Sequence, residues 1–346
     1  MWLTYAILAA ICFGLRGSLY HWTSQRPLSR NLMLFGVFTS GAIINLTFAI
    51  IYSSNWTTAS LVGVMMGLFS FGANASMYKG FAEGKASLVA ILTALPPVIV
   101  VILAALLWSE LPLPMQWVAF IIIVAGILLV RYSNDITLKN LQGAQWGLLA
   151  MLLFAFNDLS GKWSTMLQAE IYPSMFFMFI TGSLCFGIWW LQELRQQKAA
   201  VAAAASTTAS MEQTAATTTS STVSQGAIAS GPESVSSEVT SPSCGSASPA
   251  SSASTSSSTA AIAQWGHGKT FVTGLGVGIT NAVGMILLLT AFQTGKAGLV
   301  SAVSAMNVLI VLLYTRFIVK DKFSKTEVAG IAIAIIGILL MRFFSA

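Results

Sequence analysis

Ten stretches of the chain are apolar over about the 20 residues that a helix needs to cross a bilayer. They lie near residues 3–22, 31–53, 58–80, 87–108, 114–131, 144–163, 172–191, 270–292, 296–317 and 326–344. Basic residues stand mostly at the ends of these stretches, outside the region that would face hydrocarbon. The pattern therefore predicts an all-α membrane protein with ten transmembrane helices.

One segment between the seventh and eighth stretches has a different composition. Residues 199–263 are mainly Ser, Thr and Ala, without an aromatic residue or a leucine. Such a segment has few side chains to bury, so we expect it to be a disordered loop. We interpret it as an inert tether between two helix ends; a regulatory or modified segment is the alternative.

An internal repeat relates the two halves of the chain. A shift of 211 residues aligns Gly84-Lys85-Ala86 with Gly295-Lys296-Ala297, and Gly126 to Leu129 with Gly337 to Leu340. A second shift, of 141 residues, relates the earlier helices, for example Phe13 to Phe154. The two shifts differ by 70 residues, close to the length of the Ser/Thr/Ala segment. That segment is therefore an insertion between the second and third helices of the second repeat.

The chain is thus predicted to consist of two five-helix repeats, residues 1–132 and 133–346. Because five is odd, the repeats begin on opposite sides of the membrane and form an inverted-topology pair. This architecture is characteristic of secondary transporters, whose substrate site lies near the midplane between the repeats. If the repeats can exchange conformations, an inward-open state has an outward-open partner of similar energy, which permits alternating access.

Short motifs recur in the same order in both repeats. They are Gly84 to Val89, Ala94-Leu95-Pro96-Pro97, Leu106 to Glu110, Gln116-Trp117 and Ala125 to Leu129, then Gly295 to Val300, Lys320-Asp321-Lys322 and Gly337 to Leu340. With these motifs the chain resembles the drug/metabolite transporter superfamily, specifically the ten-helix carriers built from two EamA-type repeats. The resemblance implies amino acids, nucleosides or bases, sugars and drug-like cations as candidate cargoes. The second copy departs from the first, with Asn307-Val308 at the position of the Pro pair and Asp321 at that of Glu110.

Composition excludes several classes of protein. Only 8% of the residues are charged and 55% are hydrophobic, whereas about 25% are charged in an ordinary soluble domain. A water-soluble enzyme or a nucleic-acid-binding protein is therefore excluded. We expect a multi-pass protein of a bacterial plasma membrane, a monomer or homodimer, whose partners are a small-molecule substrate and membrane lipid, with no nucleic acid.

The basic residues also predict an orientation in the membrane. If the N-terminus is outside, the outer side holds only Lys162, Lys296 and Arg342. The cytoplasmic side then holds Arg26, Arg30, Lys79, Lys85, Arg131, Lys139, Arg195, Lys198, Lys269, Lys320, Lys322 and Lys325. The positive-inside rule thus favours both termini outside, although the better-known relatives are generally placed with both termini inside.

The sequence does not indicate metal or cofactor chemistry. Cys12, Cys185 and Cys244 lie far apart, and His21 and His267 lie near the ends of apolar stretches, so a zinc site is not expected. We expect no cofactor, while coupling to protons or other ions stays open. The chain also lacks a Ser/Lys pair, a His/Glu cluster or paired aspartates at suitable depth, so we do not expect an enzyme. The N-terminus lacks the basic region of a cleavable signal, so the first helix is expected to be retained.

Two ionisable residues inside predicted helices are candidate substrate ligands, because such residues are costly in a membrane. Arg16 and Asp158 lie at near-equivalent positions of the two repeats, on opposite sides of the midplane and about 11 Å apart in depth at 1.5 Å per residue. A small substrate with a carboxylate or another polar head could bridge them. Alternatively, Arg16 extends to the interface, and Asp158 pairs with Lys162 one helical turn away.

Four asparagines complete the candidate site. Asn74, Asn281 and Asn307, on the third, eighth and ninth helices, and Asn157, beside Asp158, could line the cavity. Hydrogen bonding between helices is the alternative role for them, as it is for Asn45. Asp158 is also the candidate proton-coupling or cation-binding group, because a carboxylate inside a membrane can be protonated within the working pH range.

Glycine and proline make two further structural predictions. Gly63 and Gly67 in the third helix, and Gly274, Gly276 and Gly278 in the eighth, predict close helix packing. The Pro96-Pro97 pair predicts a bend within the fourth helix. The sequence as a whole indicates a secondary active transporter of a small polar or amphipathic metabolite, amino-acid-like or other, that works by alternating access. The alternative is a membrane scaffold or accessory protein that has a carrier fold and does not transport.

Overall fold

The structure is a computed structural model that describes residues 1–24, 26–83, 89, 92–131, 144–223, 265–314, 317 and 325–344. The chain forms two compact units. Met1–Trp190 and Ala263–Ala346 together form a helical bundle, and Leu191–Ile262 form a second unit. The bundle contains every candidate site residue.

Helices make up most of the described chain. Their bounds are α1 Trp2–Ser24, α2 Arg30–Ile51, α3 Val62–Glu83, α4 Pro96–Trp108, α5 Pro114–Arg131, α6 Ala144–Met166, α7 Ile171–Val223, α8 His267–Thr294, α9 Ala297–Ser304, α10 Asn307–Tyr314 and α11 Lys325–Phe343. A 3-10 turn, Thr58–Leu61, precedes α3.

Each of the ten predicted stretches overlaps one of these helices or, for the ninth, the pair α9 and α10. Among the described residues, five helices are long and apolar enough to cross a membrane: Trp2–Tyr20, Arg30–Ile51, Thr58–Gly80, Ile171–Ala203 and His267–Thr294. Shorter apolar helical segments are Pro96–Trp108, Pro114–Val130, Ala297–Val311, which covers α9 and most of α10, and Val328–Phe343. α6 has 23 residues but carries Asp158 and Lys162, which lower its apolar character. The predicted all-α fold of two inverted five-helix repeats is confirmed.

Alternation of the helices brings both chain termini to one end of the bundle, which we call the termini end. Gly295, between α8 and α9, lies against Trp2 at the start of α1. Near the other terminus, the Gln116 side chain at the start of α5 donates a hydrogen bond to the Phe344 carbonyl at 3.5 Å. The connections 109–113 and 167–170 belong to the same end, because α4 and α6 run toward it.

The third helix of each repeat packs against the first two helices of the other repeat. α8 contacts α1 and α2, and α3 contacts α6. Gly274 of α8 lies against the Met33 carbonyl of α2, and Gly63 of α3 lies against the Ser174 carbonyl of α7. The repeat shifts relate residue 63 to 274 and residue 33 to 174, so the two close contacts are copies of one another.

Close packing follows the predicted glycines with one exception. Gly67 lies against the Met178 carbonyl, and Gly278 against the Val37 carbonyl. A Cβ atom on Gly276, however, would meet open space. The prediction for Gly276 is wrong because, two residues from Gly274, it lies on the opposite side of the helix.

The predicted bend in the fourth helix is an interruption instead. The Leu95 N–H donates to the Leu92 carbonyl at 3.1 Å, and the Val98 N–H donates to the Leu95 carbonyl at 3.0 Å. α4 begins immediately after Leu95, with the Pro pair in its first turn. This position suits proline, because the first N–H groups of a helix have no partner within the helix.

The ninth predicted helix is interrupted at the equivalent place. The Met306 N–H donates to the Val303 carbonyl at 3.2 Å, and the Leu309 N–H donates to the Met306 carbonyl at 2.9 Å. Asn307 then begins α10. Each of these residues lies 211 positions after its counterpart around Pro96. The expectation of one continuous helix over 296–317 is corrected accordingly, and both repeats contain the same helix break.

The predicted boundary of the inserted segment also needs correction. α7 continues through residue 199 and ends at Val223. Residues 199–205 are six alanines and one valine, and alanine has the highest helix propensity. Extending an existing helix avoids the cost of nucleation, so this run continues α7 instead of beginning a loop. The remainder of the predicted loop, 224–263, lies outside the described residues.

Candidate functional site

Arg16 joins the two repeats inside the bundle. Its Nη1 atom donates a hydrogen bond to Oδ1 of Asn281 at 2.5 Å. Asn281, on α8, is only 3% exposed. The guanidinium carbon lies 4.8 Å from the centroid of the Phe13 ring and 5.7 Å from that of Tyr20. The structure therefore brings together Arg16 and Asn281, one candidate residue from each repeat, beside two aromatic rings.

Two buried polar atoms at the candidate residues lack a hydrogen-bond partner among the residues described. They are Nε of Arg16 and Oδ1 of Asn157. Asn157 is 6% exposed and lies on α6. A buried polar atom without a partner costs about 1–3 kcal/mol, which a ligand with complementary polar groups would recover.

Asp158 is held by a helix of its own repeat. Ser301 on α9 donates its hydroxyl to Oδ2 of Asp158 at 2.5 Å. Ser301 is 2% exposed, whereas Asp158 is partly buried. The contact links α6 to α9 three residues before α9 ends at Ser304, so Asp158 lies within one helical turn of the second helix break.

The alternative pairing of Asp158 with Lys162 is wrong. The Nζ atom of Lys162 lies 2.9 Å from Oε1 of Glu110. It also donates to the carbonyls of Phe292 at 2.9 Å and Gly295 at 2.8 Å. Lys162 thus binds Glu110, which follows α4, and two carbonyls at the end of α8. Asp158 instead accepts its hydrogen bond from Ser301.

The other candidate asparagines make fewer contacts. Nδ2 of Asn74 donates to the Ser70 carbonyl of its own helix at 2.7 Å. Asn307 is partly buried at the first position of α10. Within the part of the chain described, no hydrogen bond joins Asn74 or Asn307 to the other four candidates. Asn45, 0% exposed, likewise donates to a carbonyl of its own helix, that of Gly41, at 2.8 Å.

Glu110 and Ser301 were not among the candidate ligands. Serine is too frequent in this chain to single out Ser301 from sequence. Glu110 did carry a signal, because the repeat shift of 211 places an acidic residue, Asp321, at the equivalent position. Asp321 itself lies outside the described residues.

Comparison with known proteins agrees with the fold. The model of the EamA-like transporter family matches residues 1–132 and 244–343. No curated protein matches the chain. A solved structure described only as "Crystal structure of protein" has a TM-score of 0.64 and 10% sequence identity, with 98% of each chain covered. At that identity the likeness establishes the fold alone.

Proposed function

The chain belongs to the EamA-like transporter family, and we propose that it is a secondary carrier that moves a small polar or amphipathic metabolite by alternating access. The observation that carries this proposal is the duplicated helix break. The interruptions before Pro96 and Asn307 have equivalent hydrogen bonds in the two repeats. Discontinuous helices at corresponding positions of inverted repeats are typical of substrate sites in secondary transporters.

The packing of the repeats supports a rocking motion. Because α8 packs on α1 and α2, while α3 packs on α6, each repeat contributes its third helix to the other half of the bundle. Exchange of two nearly equivalent arrangements would open the site first to one side and then to the other. The close contacts at Gly63 and Gly274 would serve as equivalent pivots in the two states.

Arg16 is the proposed ligand for a substrate carboxylate. Its guanidinium already bonds to Asn281 through Nη1, and its buried Nε has no partner among the described residues. Guanidinium groups bind carboxylates through two parallel hydrogen bonds. The rings of Phe13 and Tyr20 beside it would contact an apolar part of the same molecule. An amphipathic substrate with a carboxylate, such as an amino acid, satisfies both requirements.

Asp158 is the proposed coupling group. Its carboxylate lies inside the bundle, beside the break between α9 and α10, and accepts a hydrogen bond from Ser301. Binding of a proton or another cation there would neutralise the carboxylate during the transport cycle. The buried Oδ1 of neighbouring Asn157 offers a further acceptor for such a group.

Counterflow in proteoliposomes tests the proposal. The purified protein is reconstituted with a panel of amino acids, nucleobases, sugars and organic cations, and exchange of each labelled compound is measured. We expect saturable counterflow of a carboxylate-bearing compound, and its loss in Arg16→Ala. Arg26→Ala is the matched control, because Arg26 is exposed and lies over Trp22 outside the site. Equal loss in both variants would contradict the assignment of Arg16, and no exchange of any compound would favour the scaffold alternative.

A further inference from the structure

A cluster of charged and backbone groups joins the two repeats at the termini end. Lys162 of α6, 7% exposed, uses its ammonium group on three partners: the Glu110 carboxylate and the carbonyls of Phe292 and Gly295. An ammonium group has three N–H donors. All of them are therefore engaged, and the three contacts connect α6, the end of α8 and the segment after α4.

Glu110 uses both of its carboxylate oxygens in this cluster. Oε1 contacts Lys162, and Oε2 accepts a hydrogen bond from the Ala297 N–H at 2.9 Å. The preceding residue, Ser109, ends α4 in the left-handed conformation, with φ of 55°. Its chain reversal directs Glu110 toward α9. Lys296 adds a hydrogen bond from its Nζ atom to the Leu111 carbonyl.

The charges match the helix ends that they contact. The last carbonyls of a helix lack partners within it and carry partial negative charge, and its first N–H groups carry partial positive charge. Lys162 binds carbonyls at the end of α8, and Glu110 binds the first N–H of α9. The residue before α9, Lys296, provides no side-chain cap. Glu110, from the first repeat, therefore caps a helix of the second repeat.

We propose that this cluster, which we call the clasp (Glu110, Lys162 and Lys296 with the backbone of 292–297), is the gate that closes the termini end of the transport path. The inference rests on the proposed function. A carrier that works by alternating access must separate its repeats at each end in turn. At the termini end, the contacts of Glu110 with Ala297 and of Leu111 with Lys296 cross between the repeats and would have to break. Ion pairs and backbone caps can re-form without altering the helices themselves.

The experiment measures access to a reporter thiol behind the clasp. Ser304, 7% exposed on α9, is replaced by cysteine in a protein whose Cys12, Cys185 and Cys244 are serine. A membrane-impermeant maleimide is added to vesicles in each of the two orientations, which a cleavable terminal tag distinguishes. Glu110→Gln weakens the clasp. The glutamine side chain retains one oxygen that can accept the hydrogen bond from the Ala297 N–H, but it lacks the negative charge opposite Lys162.

We expect Glu110→Gln to accelerate labelling from the termini side about 10-fold or more, the change that corresponds to loss of one hydrogen bond to a charged group. Labelling from the opposite side should not accelerate. Glu170→Gln is the matched control: Glu170 lies at the same end, is partly exposed and outside the clasp, and accepts a hydrogen bond from Asn55. Its labelling rate should equal that of the parent protein.

Two further variants keep the proposal open to refutation. Lys296→Gln weakens the clasp through its contact with the Leu111 carbonyl and replaces Glu110→Gln if that variant does not fold. The charge exchange Glu110→Lys with Lys162→Glu should not restore slow labelling, because a carboxylate at 162 would face the carbonyls of 292 and 295. Restoration would overturn the helix-end argument.

The outcome for the gate is separable from the outcome for the carrier. Unchanged labelling in Glu110→Gln, in a folded protein that performs counterflow, overturns the gate and leaves the carrier. Absence of counterflow in the parent protein overturns the carrier, and with it the gate. Faster labelling confined to the termini side, together with counterflow in the parent, supports both.

Discussion

The close approach of α8 to α2 makes a prediction about stability in which one glycine controls for another. In Gly274→Ala the new Cβ would collide with the Met33 carbonyl, and it would lie 3.2 Å from the Gly36 Cα atom. Backbone atoms cannot rotate away, so the helices would have to separate. In Gly276→Ala, on the same helix, the Cβ would meet open space.

The magnitude follows from what the two substitutions share. Both replace a helical glycine with alanine. This change stabilises the fold by about 0.5–1 kcal/mol, because alanine loses less backbone entropy on folding than glycine does. Gly274→Ala alone opens a gap, and a separation of 0.5–1 Å forfeits about a quarter to a half of each dispersion contact across it. Overpacking of this kind costs about 1–3 kcal/mol. The difference between the variants is therefore that cost, or roughly 2–12 °C in melting temperature at about 2–4 °C per kcal/mol.

Thermal unfolding in detergent, followed with a thiol-reactive dye, measures the effect. We expect Gly276→Ala to melt at or above the parent temperature and Gly274→Ala to melt below it. Gly63→Ala should show a similar loss, because its Cβ would meet the equivalent carbonyl, that of Ser174. Equal melting of the 274 and 276 variants would refute the close approach. A loss at 274 without one at 63 would refute the equivalence of the two contacts.

Three other predictions concern coupling, the helix break and pH. Asp158→Asn should abolish coupling of counterflow to a pH gradient while exchange persists; coupling that survives would remove Asp158 from the mechanism. Asn307→Pro should fold, because proline occupies the equivalent position 96, and a melting temperature far below that of Asn307→Ala would contradict the equivalence. Hydrogen bonds to its carboxylate lower the pKa of Glu170. The largest contribution comes from the backbone N–H of Asn55, and the side chains of Ser54 and Asn55 add smaller ones. The stability from that contact should thus be present above the usual glutamate pKa and be lost as pH falls through the lowered value. The melting temperature of the parent protein should therefore fall between pH 7 and 3.5, and that of Glu170→Gln should fall less.

Hydrophobic pattern and repeat register together predict most of the fold. The spans are readable because each apolar helix must be long enough to cross the hydrocarbon core. The packing of the third helices can be predicted because glycine allows two helix backbones to approach closely. The shift of 211 residues aligns Gly63 with Gly274, so the same close approach is expected in both repeats. Gly276 shows the limit of that reasoning, since the sequence alone does not show which side of a helix meets a neighbour.

The helix breaks were only half predictable. Proline gives a strong local signal at 96, whereas Asn307 gives a weak one, because asparagine is compatible with many backbone conformations. Its alignment with Pro96 is a signal there, but the sequence predicts one continuous helix over 296–317 instead. The sequence mispredicts the alanine-rich start of the inserted segment for a related reason: low hydrophobicity indicates disorder, although alanine readily extends a helix that has already formed.

The contacts of Lys162 could not be predicted from local spacing. Asp158 lies one turn away on the same helix, which made it the nearer partner in sequence, yet Lys162 reaches Glu110 and two helix-end carbonyls. Free carbonyls at the end of α8 provide acceptors that no side-chain pattern reveals. The same arrangement leaves Asp158 to Ser301 and so separates the proposed coupling group from the clasp by one turn of α6.

That separation predicts that the coupling group and the clasp act on each other through α9. Glu110 holds the first residue of α9 and Asp158 holds Ser301 in its middle. A hydrogen bond to a charged carboxylate is about twice as strong as one to a neutral group. Neutralising Asp158 would therefore weaken its hydrogen bond to Ser301 and hold α9 less firmly. Because Glu110 binds the first residue of the same helix, the contacts of the clasp would then break more easily. Asp158→Asn should accordingly accelerate termini-side labelling of Ser304→Cys. If Asp158→Asn labels at the parent rate, the two sites are not linked through α9, and coupling must reach the gate by another route.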